Sequence, residues 1–427
     1  MSNYSVTLWD SLKYEILNVQ EDDLADGALK ALQAIAINLS CGLESTDSKT
    51  ALATYLRPIT KECKERLQEP QHKQAKAAGQ ILSVLGISSP IAFYHIIRSA
   101  LPPLFTLYQA AENIPKQRAL LEVLVLLLDS AISVYGTLQM PAPDTKVDNP
   151  LIPFKDRIFE LASQALMSTA IEEVSFRIVA LKTLLRLCLL RTFLEEGEVG
   201  MVVQYYDEII LTQDPLGRDD LKKEAIQALV EISRIRPQLI MNITFPAFMA
   251  RLPDFESSDR HDYLITLEGL AQLSVDKFVA DTLLRRLLSR LDVVLQSAGS
   301  HAYPQAVLST LYYVLSHREL KNDVNFQFYL EKVVVHLNDK AVQASIGVAE
   351  LPALCEAATL QILARLNIMI IKAQNEHKQR SIALQCYSLF SDNDSFKPVP
   401  FRAHVPSSER LTLILSTSIM AGVSSSV

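Results

Sequence analysis

Apolar residues return at steps of three and four along most of this 427-residue chain, a spacing typical of amphipathic α-helices. Clear examples of such faces are Leu24, Ala28, Leu32, Ile35 and Leu39; Phe176, Ala180, Leu184 and Leu187; and Leu221, Ala225, Leu229 and Ile232. Convincing strand-like alternation is absent from the sequence, and 12 Gly are too few for the tight turns of an all-β fold. Since 49% of the residues are hydrophobic, the chain has ample material for a core. The sequence therefore predicts an all-α fold and excludes a disordered chain.

Small or apolar residues recur at similar positions in the predicted second helices of successive helix pairs. The successive spacings are 50, 41, 61, 45, 42, 39 and 52 residues along Ala28, Ala78, Ala119, Ala180, Ala225, Leu267, Ala306 and Ala358. HEAT and armadillo repeats have periods of about 40–47 residues. The longest spacing contains a polar loop at 139–152, which accounts for its excess. Because one helix pair cannot bury its inner face alone, the pattern predicts an α-solenoid of stacked HEAT/armadillo-like repeats.

One repeat is especially clear, and it shows how proline marks the start of a first helix. The segment from Pro153 to Leu166 predicts a first helix, Ser168 to Glu173 a turn, and Val174 to Arg191 a second helix. Proline is tolerated in the first turn, where its missing N–H would have no partner anyway. By the same argument we expect first helices to begin near Pro102-Pro103 and near Pro246.

The predicted organisation is a continuous repeat array over residues 1–390, with a looser segment at 338–350. Residues 391–408, rich in Asp, Ser and Pro, predict a linker, and 409–427 predict the start of a further, truncated repeat. Solenoids normally end in polar capping repeats, and neither end of this sequence has the pattern of one. We therefore expect either a fragment of a longer array or the product of a truncated gene model, and a fragment is expected to self-associate through its uncapped ends.

Motifs that carry catalytic or metal chemistry are missing from the sequence. It has no GxSxG, GxGxxG or P-loop motif, its eight histidines form no HxxxH pair, and its five cysteines form no CxxC pair. The sequence thus predicts a protein that is not an enzyme, without a catalytic, metal or cofactor site. Two alternatives stay open. Cationic neighbours would activate the thiol of Cys63, against the simpler interpretation of a solvated helix face, and an all-α enzyme would hold its pocket between helices.

Charge and hydropathy limit the partners that the chain can take. The net charge of −7 disfavours direct contact with nucleic acid, which binds basic surfaces. The most apolar run, from Ala119 to Val134, is interrupted by Glu122 and Asp129 and predicts a buried helix, not a membrane span. No secretory signal follows Met1. We expect a soluble intracellular protein without membrane contact.

Three arginines are the candidate partner-binding residues. The basic clusters at Lys61–Arg66 and Arg218–Lys223 are interleaved with acidic residues and predict nearly neutral surfaces. Arg285, Arg286 and Arg290, in contrast, form a group of one sign that could hold an acidic partner. The alternative for these arginines is an ordinary solvated helix face.

Several segments carry a resemblance to a known family through their order and spacing. They are Leu8-Trp9-Asp10-Ser11-Leu12-Lys13, the helix with Ala28-Leu29 and Ala31-Leu32, Arg66–Pro70, Gln117–Glu122, Pro150–Asp156 and Glu409-Arg410-Leu411. Together they resemble the methyl methanesulfonate sensitivity nineteen family, HEAT-repeat adaptors also described as regulators of nucleotide excision repair and TFIIH transcription. The resemblance runs through nearly the whole chain and is to the central portion of a fungal-type or otherwise divergent member, with the family's C-terminal repeats missing after Val427.

The resemblance implies an adaptor of the cytosolic iron–sulfur assembly targeting complex, which has no cofactor of its own. Such adaptors deliver clusters to apoproteins of DNA repair, replication and transcription. The implied partners are the targeting factors and iron–sulfur client enzymes such as the TFIIH helicase, in the cytoplasm and the nucleus. The alternative is a nuclear-transport or vesicle-coat type of HEAT/armadillo scaffold, since the acidic groove of importin-like arrays is compatible with a net charge of −7.

Overall fold

The computed structural model describes residues 2–17, 22–69, 73–141, 145–170, 173–212, 219–253, 263–274 and 276–296. Farther along it describes eight single residues, which are Tyr303, Ala306, Val307, Thr310, Leu311, Tyr313, Val314 and Tyr329. The chain divides into two compact units, Met1–Pro246 and Ala247–Val427. The predicted segments at 338–350, 391–408 and 409–427 lie outside the described residues.

Helices make up the described part of the chain, where no β-strand is formed. The α-helices are α1 Ser2–Leu17, α2 Asp22–Ser40, α3 Ala51–Arg66, α4 Lys73–Ile87, α5 Pro90–Ala110, α6 Ile114–Tyr135, α7 Lys155–Met167, α8 Val174–Leu189, α9 Glu196–Leu211, α10 Asp220–Ile235, α11 Pro237–Asn242, α12 Thr244–Arg251, α13 Tyr263–Leu273 and α14 Lys277–Gln296. A 3-10 helix, Ile152–Phe154, precedes α7. The predicted all-α class is confirmed. No described helix has both the length and the hydropathy that a membrane-spanning segment needs.

Polar side chains fix where several helices begin. Thr50, Ser89 and Asn113 precede α3, α5 and α6 with extended backbone, and each side chain accepts a hydrogen bond from the N–H three residues on. The donor–acceptor distances are 3.2 Å at Thr50 and 3.0 Å at both Ser89 and Asn113. Such caps satisfy N–H groups that have no partner inside the helix, and each contributes about 1 kcal/mol.

The prolines bear out the expected helix starts at two of three places. Pro153 lies in the 3-10 helix just before α7, and Pro246 lies in the first turn of α12. The prediction is wrong at Pro102 and Pro103, which lie inside α5. The start signal there is the Ser89 cap followed by Pro90, so the later prolines fall in the helix interior, where they remove backbone hydrogen bonds.

Helices of the first unit form consecutive pairs. In chain order, α1 packs with α2, α3 with α4, α5 with α6, α7 with α8, and α9 with α10. The second helices also pack against one another in the order α2, α4, α6, α8, α10, and the first helices α1, α3 and α5 do the same. This arrangement is the predicted stack of HEAT/armadillo-like repeats. The repeat predicted from Pro153 to Arg191 matches α7 and α8 closely.

Neighbouring second helices run parallel, as stacked repeats require. Between α4 and α6, Gly79 faces Val123 and Gly86 faces Ser130, so both contacts join residues that are 44 apart. Between α6 and α8, Arg118 bonds Ser175 and Asp129 pairs with Arg186, both 57 apart. A constant offset along two helices means that they run in the same direction. The spacings of 41 and 61 predicted through Ala119 therefore differ from the contact register by about one helical turn.

The second helices α4 and α6 pack closely where small residues face the neighbouring helix. A Cβ built on Gly79 would lie 3.0 Å from Val123 Cγ2 and 3.1 Å from Leu126 Cδ1. One turn farther along, the buried hydroxyl of Ser130 lies 2.9 Å from that of Ser83, and both side chains are shielded from solvent. Small residues thus let the two helices meet at the density of a protein interior.

Two of the three predicted apolar faces are buried throughout, at Phe176, Ala180, Leu184 and Leu187 and at Leu221, Ala225, Leu229 and Ile232. On α2, the buried face differs from the predicted one. Ala28, Leu32 and Ala36 are buried there, whereas Leu24 is 52% exposed. Leu24 lies in the first turn of α2, so fewer neighbouring side chains cover it.

The connection from α6 to α7 contains the predicted polar loop at 139–152 and is fastened to the end of α8. Gly136 has φ 75° and ψ −178°, a conformation that is essentially limited to glycine. Its carbonyl accepts a 3.1 Å hydrogen bond from the backbone N–H of Arg191. The Arg191 guanidinium in turn donates to the carbonyl of Met140 at 2.6 Å. The turn at Gly136 therefore directs the loop back across the end of α8.

A buried carboxyl group lies on α9 beside α12. Both oxygens of Asp207 are shielded from solvent without a hydrogen-bond partner. Burial raises the pKa of Asp207 to about 7, and the nearby Thr244 hydroxyl, which forms no well-aligned hydrogen bond, opposes this rise only in part. The ionised form is therefore costly at neutral pH.

In the second unit, α13 and α14 pack together, and helical residues after α14 are buried as well. Tyr303, Val307, Leu311 and Val314 are buried at steps of four and three, the spacing of one helix face. The ring of Tyr303 meets that of Tyr263 on α13 edge to face, with centroids 4.8 Å apart. The repeat predicted around Ala306 is therefore helical at its described positions.

We expect Gly136→Ala to lower the free energy of unfolding by about 1–3 kcal/mol, because alanine is strained at this φ and ψ. Gly197→Ala is the matched control, since Gly197 is helical and a Cβ there would meet nothing within 4 Å. The control should be neutral or stabilising by up to about 1 kcal/mol. Urea unfolding followed by far-UV circular dichroism measures both, and equal stabilities for the two variants would contradict the assigned turn.

We also expect Asp207→Asn to stabilise the protein increasingly as pH rises. The pKa of Asp207 is about 7 when folded and about 3.9 when unfolded, so the folded state binds the proton more tightly. Below about pH 4 the protonated carboxyl group makes its full contribution to the free energy of unfolding. As the pH rises to 7, this contribution falls by up to about 1.4 kcal/mol per pH unit. Glu208→Gln, at an exposed position of the same helix, is the control. Urea midpoints between pH 5 and 8 that give both variants the same pH dependence as the parent would refute this assignment.

Candidate functional site

The three candidate arginines lie on α14, but they do not form one surface. Arg285 is paired within its own helix with Asp281, one turn earlier, and its Nε donates a 3.0 Å hydrogen bond to the Tyr329 hydroxyl. That hydroxyl also donates to Asp281. The Arg285 side chain nevertheless keeps 68% of its surface exposed. Arg285 is thus both held in place and accessible.

Arg290 is engaged inside the unit. One of its guanidinium nitrogens donates to the carbonyls of Leu252 and Pro253, at 2.7 Å in both cases. These carbonyls directly follow the last residue of α12, Arg251. Carbonyls at the end of a helix have no partner inside the helix, so a cation is favourable there. Arg290 therefore joins α14 to the end of α12 and is not arranged for a partner.

Of the three arginines, Arg286 is the one that is accessible and not engaged by other described residues. It is exposed and makes no hydrogen bond or ion pair with any residue that the structure describes. Two apolar side chains that were not predicted share its side of α14. Phe278 and Val293 are 55% and 48% exposed. A signal for both was present in the sequence, because they fall outside the three-four spacing of the leucines of this helix.

The Lys61–Arg66 cluster is neutralised, as predicted, and its centre is Glu62. The indole N–H of Trp9 on α1 donates to Glu62 Oε2 at 2.7 Å, Lys13 donates to the same oxygen at 3.3 Å, and Arg66 donates to Oε1 at 2.8 Å. Burial by itself would raise the pKa of Glu62, but these hydrogen bonds outweigh it and hold the pKa below its ordinary value. The cluster joins the first helices of two repeats.

The alternative of a reactive Cys63 is wrong. The thiol is buried, and burial with a contribution from Glu62 raises its pKa to about 12, whereas Arg66 opposes the rise only in part. A thiol that stays protonated and lacks solvent access is a poor nucleophile. Cys188 is buried as well, and its pKa is also raised by burial. Cys41 is exposed, and the other two cysteines lie outside the described residues.

Metal and acid–base chemistry have no candidate among the described residues. No three His, Cys, Asp or Glu side chains there are grouped so that they could hold a metal ion. Asp207 is the described acid whose pKa is raised to about 7, a feature often found at catalytic sites. Its oxygens are sealed from solvent, so a substrate cannot reach them. Asp207 is therefore a buried packing residue of α9 that lies near Thr244.

A family model described as RNAPII transcription regulator C-terminal, of MMS19 proteins, matches residues 266–427. Among curated proteins, the DNA repair/transcription protein mms19 of Schizosaccharomyces pombe is 23% identical over 418 residues, 96% of this chain. The DNA repair/transcription protein MMS19 of Saccharomyces cerevisiae is 24% identical over 74% of the chain. The MMS19 nucleotide excision repair protein homolog of Xenopus tropicalis is 25% identical over 79% of the chain.

The chain spans 39% of the length of the Schizosaccharomyces pombe relative, 32% of the Saccharomyces cerevisiae protein and 33% of the Xenopus tropicalis protein. Its part from residue 266 onward resembles the C-terminal model, so the similarity extends beyond the central portion that the sequence indicated. Among solved structures, importin beta aligns over 97% of this chain and 49% of its own, with a TM-score of 0.41 and 14% identity. The fold class rests on the helix pairs described above. The comparisons bear out the resemblance that the sequence indicated: this chain is similar to the MMS19 proteins.

Proposed function

We propose that this chain is a non-catalytic scaffold of the cytosolic iron–sulfur assembly targeting complex. In this role it brings newly made clusters to apoproteins of DNA repair, replication and transcription. The observation that carries the proposal is the similarity to a DNA repair/transcription protein over 96% of the chain. It is supported by the stack of helix pairs, a construction that presents extended surfaces to protein partners.

The buried thiols favour a role in which the cluster is cargo held by other proteins. Cluster ligation needs accessible cysteine thiolates. Cys63 and Cys188 are buried with raised pKa values, and Cys41 stands apart from other metal-ligating side chains in the described part of the chain. The proposed partners are those that the family resemblance implies, namely the targeting factors and the client enzymes, such as the TFIIH helicase. The proposal includes no direct contact with nucleic acid or membranes and a location in the cytoplasm and the nucleus.

Affinity capture from cytosol, with identification by mass spectrometry, tests the proposal. We expect the tagged full chain to recover iron–sulfur targeting factors together with cluster-bearing DNA enzymes, relative to the tag alone. Recovery should persist after nuclease treatment, because the proposed contacts are between proteins. A salt wash at about 0.5 M separates packed interfaces from loose charge attraction, which is screened at that ionic strength.

Recovery of nuclear-import cargo or coat proteins in place of these partners would favour the transport scaffold and contradict the proposal. A purified-component assay provides a second check. Fluorescence anisotropy of a labelled DNA duplex at about 0.15 M salt should show no binding by the full chain, since its net charge of −7 opposes contact with the phosphate backbone.

A further inference from the structure

One side of α14 is left uncovered and is chemically distinctive. The residues of this side are Phe278, Thr282, Arg285, Arg286, Ser289 and Val293, in which each arginine lies three or four residues from Thr282 and from Ser289. Since each residue advances the helix by about 100°, these six positions fall within an arc of about 100°. We call this arc the Arg286 face. The opposite side carries the buried residues Val279, Ala280, Leu283, Leu284, Leu287, Leu288 and Leu291.

The Arg286 face has apolar ends and a cationic centre. Phe278 at one end and Val293 at the other are about half exposed, and Arg285 and Arg286 lie between them. At about 1.5 Å per residue, Phe278 and Val293 are roughly 22 Å apart along the helix axis. Phe278 and Val293 thus leave apolar surface in water, which is unfavourable by about 25 cal/mol per Å².

The charge of this face is opposite to that of the chain. The helix carries four basic and two acidic side chains, whereas the whole chain has a net charge of −7. Asp281 neutralises part of the charge of Arg285, but it also fixes that guanidinium together with Tyr329. Arg286 has no described partner. Arg285, already fixed, can receive a carboxylate with little further loss of side-chain entropy, and Arg286 offers a second cation beside it.

We propose that the Arg286 face binds an acidic segment of a protein partner, with carboxylates at Arg285 and Arg286 and apolar side chains against Phe278 and Val293. An extended chain covers roughly 22 Å with about seven residues. A peptide fits better than a nucleic acid, because a phosphate backbone offers nothing apolar to Phe278 and Val293. This inference rests on the proposed scaffold function and assigns one contact surface to it.

A fluorescein-labelled seven-residue peptide, with leucine at each end and five glutamates between, is the probe. Anisotropy with the full chain at about 0.1 M salt measures its binding. We expect Arg286→Glu to weaken binding by about tenfold and Phe278→Ala by severalfold, because they remove the cation and an apolar contact respectively. Arg251→Glu makes the same charge change at another exposed position of the second unit and should leave binding unchanged.

Separate control experiments test whether the variants fold and whether the binding is specific. Arg286 contacts no described partner, so Arg286→Glu should keep the circular dichroism spectrum and urea midpoint of the parent. No binding by the parent, an equal loss with Arg251→Glu, or binding of a labelled DNA duplex through Arg286 in preference to the peptide would each overturn the proposal. Repeating the cytosolic capture with Arg286→Glu separates the two claims. If the targeting factors are still recovered while the peptide never binds, this surface is wrong and the scaffold function stands.

Discussion

A pair of helices cannot bury its own inner face, and the first unit is organised by the contacts that solve this problem. The second helices form one row in which a Cβ on Gly79 of α4 would lie only 3.0 Å from Val123 of α6, and the hydroxyls of Ser83 and Ser130 pair in the interior. The contacts of Gly79 with Val123 and of Gly86 with Ser130 have the same offset of 44 residues, which shows that α4 and α6 run parallel. Each repeat therefore depends on its neighbours for a large part of its core.

This dependence explains why several reactive side chains of the described residues are out of reach of solvent. Stacking places Cys63 and Cys188 in the packed interior, where their thiols stay protonated, and the carboxyl group of Asp207 on α9 is shielded from solvent. What remains available is the solvent side of the helices. On α14 that side combines exposed apolar residues with Arg286, and we propose it as a surface that holds another protein.

Local patterns predicted much of the fold, because periodicity and start signals act within one helix. The α7–α8 repeat was predicted nearly residue by residue. Contacts between distant segments had no such signal. Arg290 lies only four residues after Arg286 in the sequence, yet its hydrogen-bond partners are carbonyls 37 and 38 residues away. The burial of Cys63 and the placement of Pro102 inside α5 likewise depend on neighbouring helices or on an earlier cap. For the same reason only one of the three arginines is left free.

Hydrogen exchange on a Gly79→Leu variant tests most directly whether the repeats stabilise one another. The larger side chain must push α4 away from α6, because its Cβ alone would lie 3.0 Å from Val123. We predict faster amide exchange in α4 and α6 and also in α2 and α8, which pack on them. Gly27→Leu, where a Cβ meets nothing within 4 Å, should change little. Faster exchange confined to α4 would contradict the account.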